Sequence, residues 1–154
     1  MLPDGILDRS GIRIGESASS KKRVLEQAAR LLARDDTEPT AEQVFERLLE
    51  RERLGSTGLA GGVALPHARM PGISESRGAF MRLTEPVDFD ALDGQPVDLV
   101  FALIVPEDAT DEHLQLLARL ATTFNDATVR ERLREAETDE ALKLLNGQSN
   151  THAA

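Results

Sequence analysis

The sequence predicts an α/β fold, a mixed central β-sheet flanked by helices on both faces, and three observations carry that expectation. Val97 to Val105, closed by Pro106, is apolar on both alternating sets of positions, the pattern of a central strand covered on two sides. Apolar residues recur at helical spacing from Ser19 to about Arg34, well ahead of that strand, and again after Thr110, behind it. Strands interspersed with helices in this way pack as layers with the sheet in the middle.

The first helix carries Val24, Leu25, Ala28, Leu31 and Leu32 on one face. Lys21, Lys22 and Arg23 in its first turn have the wrong sign for a helix N-terminus, so they form either a solvated basic face or a contact to an acidic partner. The second helix is announced by Thr40 and Gln43, which have the spacing of a capping box, followed by Val44, Phe45, Leu48 and Leu49. It is expected to end at Gly55. Arg51 and Arg53 then lie in its last turn, where cations suit the helix dipole and reach the loop leading to His67.

Val63 to Leu65 reads as a short strand, and Ala79, Met81 and Leu83 give partial alternation to a second one from Arg77 to Leu83. Pro71-Gly72 marks a turn between them. Beyond Pro106, Thr110-Asp111-Glu112-His113 opens a helix whose expected stripe is Leu114, Leu117, Ala118, Ala121 and Phe124. Two shorter helices follow, Thr128 to Arg134 and Thr138 to Leu145. Residues 1–147 are expected to form a single domain, and residues 148–154, including His152, a disordered tail.

Composition excludes several classes of function. A chain of 154 residues has room for one core that buries roughly two thirds of its unfolded surface. With 3% aromatics and no Trp or Tyr, that core must be built from Leu, Ala, Val and a few Phe, and stacking platforms for nucleic-acid bases are missing. The net charge of -9 repels a phosphate backbone, so no nucleic-acid partner is expected. The start of the chain lacks the pattern of a signal peptide, and no run approaches the ~20 apolar residues of a membrane span. The expectation is a cytoplasmic protein that is not inserted in a membrane.

The segment Gly55 to Arg69 concentrates the candidate chemistry. It sets His67 after a short apolar run and a glycine-rich turn, where backbone can come close to a bound group. Only His113 and His152 accompany it, and there is no cysteine. A neutral imidazole, with an ordinary pKa of about 6.5, is a good nucleophile near pH 7 and can accept and return a phosphoryl group. Such a site needs an exposed ring, a group that fixes its tautomer, and donors to balance roughly two added negative charges. His113, in the first turn of the helix after the central strand, lies where free backbone N–H groups favour an anion.

The same residues permit plainer readings. A histidine after proline also suits a turn or a core position, Arg51 and Arg53 suit helix-end compensation, and Arg69 suits an exposed loop. A zinc site would require His67, His113 and a carboxylate without any HExxH spacing, so no metal is expected. Gly55-Ser56-Thr57-Gly58 is not a nucleophile elbow, and Gly58 to Gly62 is not a Walker loop.

The run Arg51-Glu52-Arg53-Leu54-Gly55-Ser56-Thr57-Gly58 through Val63-Ala64-Leu65-Pro66-His67, with Phe89 to Leu99 and Glu112-His113-Leu114, closely resembles the enzyme IIA proteins of the bacterial phosphotransferase system. It is similar to the mannitol/fructose-type (type 2) domain in its nitrogen-regulatory form. The resemblance spans about Ile6 to Leu145 and implies the phosphotransferase/anion transport protein-like fold. It implies that His67 is the phosphoryl acceptor, taking the group through its outer ring nitrogen from a phosphohistidine on an HPr-like carrier protein. Arg51, sixteen residues earlier, matches the family's active-site arginine, and His113 its second active-site histidine. Ala68 departs from the Gly that many relatives carry after the acceptor. Ser56 and Thr57 are candidates for hydrogen bonds to the phosphoryl group, or for an ordinary turn role.

What the resemblance implies for function is a stand-alone regulator that binds different partners in its two phosphorylation states, with potassium transporters or sensor kinases as examples of targets. No cofactor is expected. The alternative within the family is a phosphocarrier that donates to a sugar-specific enzyme IIB. From another class, the alternative is a metal-dependent hydrolase built on His67 and His113.

Overall fold

The computed structural model describes residues 5–34, 39–109 and 111–146, with Glu112 described by its backbone only. A short 3-10 turn, Arg9–Gly11, leads into strand β1 (Ile12–Glu16). Helices α1 (Lys21–Ala33) and α2 (Ala41–Leu54) follow. Strands β2 (Val63–Ala64), β3 (His67–Met70), β4 (Arg77–Val87) and β5 (Val97–Pro106) come next. The chain then runs through α3 (Asp111–Asn125), α4 (Ala127–Glu135) and α5 (Thr138–Leu145).

β5 is central, as its two-sided apolar pattern predicts. It pairs antiparallel with β4 on one side and parallel with both β2 and β3 on the other, while β1 closes the far edge parallel to β4. The sheet is therefore mixed, and its two faces can be followed residue by residue along β5. Leu99, Phe101, Leu103 and Val105 join a core with Leu116, Leu120 and Phe124 of α3, Leu133 of α4 and Leu144 and Leu145 of α5. Val100, Ala102 and Ile104 join a second core with Val24, Leu25, Ala28 and Leu32 of α1 and Val44 and Leu48 of α2. Each such fully covered Leu, Val or Phe contributes about 1.5–3 kcal/mol of apolar burial, so both helical layers are held to the sheet by the same strand.

Helix boundaries follow local chemistry. The Ser20 hydroxyl caps α1 by accepting from the Arg23 amide. The expected capping box of α2 is present in both directions, from the Gln43 amide to Thr40 Oγ1 and from the Thr40 amide to Gln43 Oε1, and α2 ends before Gly55. Pro71-Gly72 forms the expected turn, with Gly72 at φ +88°.

Three expectations need correction. β1 and β3 were not anticipated: the first is five residues and the second four, too short for periodicity to mark them. The strand expected from Val63 to Leu65 stops at Ala64, and His67 opens the unanticipated β3, opposite Leu103. On α3 the buried stripe is His113, Leu116, Leu120 and Phe124, whereas Leu114, Ala118 and Ala121 face solvent. Both stripes have helical spacing; the apolar one loses because the core side of the first turn holds an imidazole. Thr110 and residues 147–154, where the helix cap, the domain end and the tail were expected, lie outside the described residues. Among the described residues no helix is long and apolar enough to cross a membrane.

Candidate functional site

β3 positions His67. Its alternate residues Ala68 and Met70 are buried in the core beneath α1 and α2. The strand's period of two sends His67 and Arg69 the other way, towards the start of α3. There the shifted stripe of α3 presents His113, and the two imidazole centroids lie 5.3 Å apart with planes tilted by 57°. Arg51 enters from the last turn of α2, where its Nη1 donates to the Gly55 carbonyl at 2.9 Å. All three expected site residues line one open cavity of about 550 Å³, together with Arg47, Glu50, Arg53, Leu54, Ala68 and Arg69.

The His67 ring is held by its own chain. Nδ1 lies 2.7 Å from the Leu65 carbonyl, which only accepts, so Nδ1 carries the proton and donates. In the neutral ring, Nε2 is then the nitrogen with the free lone pair. Burial holds the pKa of His67 below the ordinary 6.5, and the Arg51 charge acts in the same direction; the Leu65 carbonyl and the Glu52 carboxylate oppose them. His113 is also depressed, first by burial and then by the positive charges of His67, Arg69 and Arg51. Its Nδ1 is buried without a hydrogen-bond partner among the described residues. Two neutral rings in a field of arginines make a site suited to an incoming anion, in a protein that is otherwise strongly acidic.

Ser56 and Thr57 are not among the residues lining this cavity. Ser56 Oγ donates to the Phe89 carbonyl at 2.6 Å and accepts from the Gly58 amide at 2.9 Å. Thr57 Oγ1 donates to Glu52 Oε1 at 2.6 Å. Both hydroxyls hold the loop that carries the site. The glycine-rich turn likewise approaches the protein itself rather than a ligand: a Cβ at Gly61 or Gly62 would meet the guanidinium of Arg130 or Arg134 within 2.7 Å.

Glu52, buried behind the site, is the residue that the sequence pattern did not single out. It occupies the third position of the buried stripe Val44, Leu48, Glu52, a spacing that marks it as inward-facing. Its carboxylate accepts from Lys21 Nζ at 2.9 Å and from the Thr57 amide at 2.8 Å. Lys21 is thereby engaged within the protein while keeping some solvent access: it also donates to the Phe89 carbonyl at 3.4 Å and sits 4.9 Å over the Phe89 ring. The loop continues this chain of contacts, since the Leu65 amide donates to the Thr57 carbonyl and the Leu65 carbonyl receives His67. Among the described residues, no group of three His, Asp or Glu side chains is arranged to hold a metal ion.

Residues 5–147 match the family model described as "Phosphoenolpyruvate-dependent sugar phosphotransferase system, EIIA 2". The chain is 56% identical over 123 residues to the nitrogen regulatory protein of Pseudomonas aeruginosa, covering 80% of each chain. The crystal structure of nitrogen regulatory protein IIA-Ntr from Neisseria meningitidis superposes with a TM-score of 0.86 at 47% identity, over 91% of this chain and 96% of that one. Escherichia coli mannitol enzyme IIA, solved in complex with phosphorylated enzyme IIB, matches with a TM-score of 0.73 at 27% identity, over 92% and 97%. These similarities, spanning nearly all of the α/β fold and both histidines, show that the chain belongs to the EIIA type 2 family of the phosphoenolpyruvate-dependent sugar phosphotransferase system.

Proposed function

We propose that this protein is a nitrogen-regulatory enzyme IIA that takes a phosphoryl group on Nε2 of His67 from a phosphohistidine on an HPr-like carrier. The observation that carries this reading is the 2.7 Å hydrogen bond from His67 Nδ1 to the Leu65 carbonyl, which leaves Nε2 as the nucleophilic nitrogen. In the transfer, the Nε2 lone pair forms a bond to phosphorus while the bond from phosphorus to the carrier's ring nitrogen breaks, its electron pair returning to the carrier. His67 keeps its Nδ1 proton throughout. Arg51 balances the arriving charge, for which about 4 kcal/mol per unit charge pair at 4 Å near a surface is a sufficient scale before desolvation, and the neutral His113 ring is placed to donate a hydrogen bond to the group.

The regulatory reading is supported by the similarity to nitrogen regulatory proteins over most of the chain. Phosphorylation puts about two negative charges beside the exposed Leu54 and Leu114, a change large enough to alter which protein surfaces dock there. Targets such as potassium transporters or sensor kinases, reached in the cytoplasm, fit this role. The test is intact-mass analysis after incubation with phosphoenolpyruvate, enzyme I and the carrier. One acid-labile phosphoryl adduct on wild type and none on His67→Ala is the expected result; an active carrier with no adduct on wild type would overturn it.

A second reading is onward donation to an enzyme IIB, favoured by the solved complex of the mannitol relative. Loss of the label from His67 to a purified IIB distinguishes it from a purely regulatory role.

A further inference from the structure

A second cavity, of about 530 Å³, lies between β1 and α1, lined by residues none of which borders the His67 site. Arg13, Arg30 and Arg34 contribute three guanidinium groups to its wall, against one carboxylate, Glu16. None of the three forms an ion pair with a carboxylate among the described residues. Among the described residues, Arg13 donates only to the Ser10 and Ile12 carbonyls, and Arg34 Nη2 only to the Ile6 carbonyl. Arg30 makes no hydrogen bond or ion pair among the described residues. In a chain of net charge -9, three arginines gather on one concave wall, and the nearby Asp8 carboxylate feels Arg34 without forming an ion pair with it.

Two further features of the same wall concern polar satisfaction. Gln27 Nε2 donates to the Ser17 carbonyl at 2.9 Å, which fixes the amide orientation and leaves Oε1 as a buried acceptor without a partner. Arg34 Nε is a buried donor without a partner among the described residues. Unpaired buried polar atoms are costly, and both belong to side chains that line the cavity, so a ligand reaching them with the complementary group relieves that cost.

We propose that this cavity binds a small organic phosphate carrying at least one free hydroxyl. The arginines supply charge-assisted, forked hydrogen bonds to the phosphate oxygens, and the Gln27 amide oxygen accepts from the hydroxyl. The site is independent of phosphotransfer at His67.

The test is a titration of the full chain with glycerol 3-phosphate, inorganic phosphate and glycerol, followed by backbone and arginine side-chain NMR shifts, on wild type and on the variants Arg30→Gln and Arg13→Gln/Arg30→Gln. Saturable shifts at Gln27, Arg30 and Arg34 are expected, with glycerol 3-phosphate binding more tightly than inorganic phosphate and glycerol alone not binding. The double variant weakens binding by at least about tenfold. Shifts confined to residues around His67 and His113, affinity unchanged in the double variant, equal affinity for the two phosphates, or no saturable shift would each overturn the proposal. A melting temperature near wild type in the variants, whose arginines contact only their own neighbourhood, separates lost binding from lost fold.

Discussion

Glu52 and Thr57 are joined by two hydrogen bonds, the Thr57 amide reaching Glu52 Oε2 at 2.8 Å and the Thr57 hydroxyl reaching Oε1 at 2.6 Å. With Lys21 on the same carboxylate, this buried cluster ties α1 and α2 to the loop whose Leu65 carbonyl orients His67. Replacing Glu52 by Ala strands two Thr57 donors and takes the nearest carboxylate from Lys21, which keeps only the longer contacts to Phe89 and Asp90. Because Lys21 retains some solvent access, the expected cost is about 2–4 kcal/mol, below the upper range for a fully buried pair. Urea unfolding of Glu52→Ala measures it, and a change under about 0.5 kcal/mol would show that the cluster is not structural.

The same relay predicts a separate effect on chemistry. Glu52→Gln keeps an acceptor for Thr57 but removes the charge that raises the pKa of His67. The His67 ring should then titrate at lower pH than in wild type, read by two-dimensional NMR of the imidazole nitrogens. An upward displacement would contradict the electrostatic account.

Both site histidines have folded-state pKa values below the unfolded value near 6.5. The unfolded chain therefore binds more protons than the folded one as pH falls through that value, so the sign is destabilisation on acidification. Stability should be insensitive to these groups above about pH 7.5, begin to fall near 6.5, and continue to fall until the folded-state values are passed. Urea midpoints measured across that range should decline more steeply for wild type than for His67→Ala/His113→Ala. Equal slopes would remove the argument.

Arg51 allows binding and folding to be separated. Its one hydrogen bond among the described residues, to the Gly55 carbonyl, is an exposed helix-end contact worth less than about 1 kcal/mol. Its place in the cavity wall gives it a larger part in holding the transferring group, where loss of one preorganised donor costs on the order of a hundredfold in rate. Arg51→Ala should thus phosphorylate about a hundred times more slowly from the carrier while unfolding near the wild-type midpoint. A rate within threefold of wild type would take Arg51 out of the site.

How much of this was legible in the sequence depends on length and on polarity. β5 was readable because nine consecutive residues, Val97 to Val105, show its environment on both faces, and α2 because its cap and end carry distinct chemistry at Thr40, Gln43 and Gly55. β1 and β3 were not, since Ile12, Ile14 and Ala68, Met70 offer only two inward positions each. The stripe on α3 was misplaced for a different reason: assigning apolar residues inward selects Leu114, yet the fold buries His113 and leaves Leu114 exposed. Glu52 escaped for the same cause, a charged residue in an inward position whose partners Lys21 and Thr57 only the tertiary structure supplies. Polar residues on core faces are where the site lies, so the errors of a hydrophobic reading gather around the histidines.

Gly58 gives the sharpest test of the loop itself. A Cβ there would lie 2.9 Å from the Ala91 Cα and 3.2 Å from the Phe89 carbonyl oxygen, backbone atoms that cannot rotate aside. Gly58→Ala must therefore push the Phe89 to Leu92 segment away from the loop, weakening the Leu92 amide to Gly58 carbonyl bond and the Ser56 bond to Phe89. Overpacking of this kind costs about 1–3 kcal/mol. At Gly55, by contrast, an added Cβ meets nothing within 4 Å, so Gly55→Ala should stay within about 0.5 kcal/mol of wild type. Denaturant midpoints for the two variants decide the matter: a tolerated Gly58→Ala would mean that the packing of this loop against Ala91 is looser than the contact distances require.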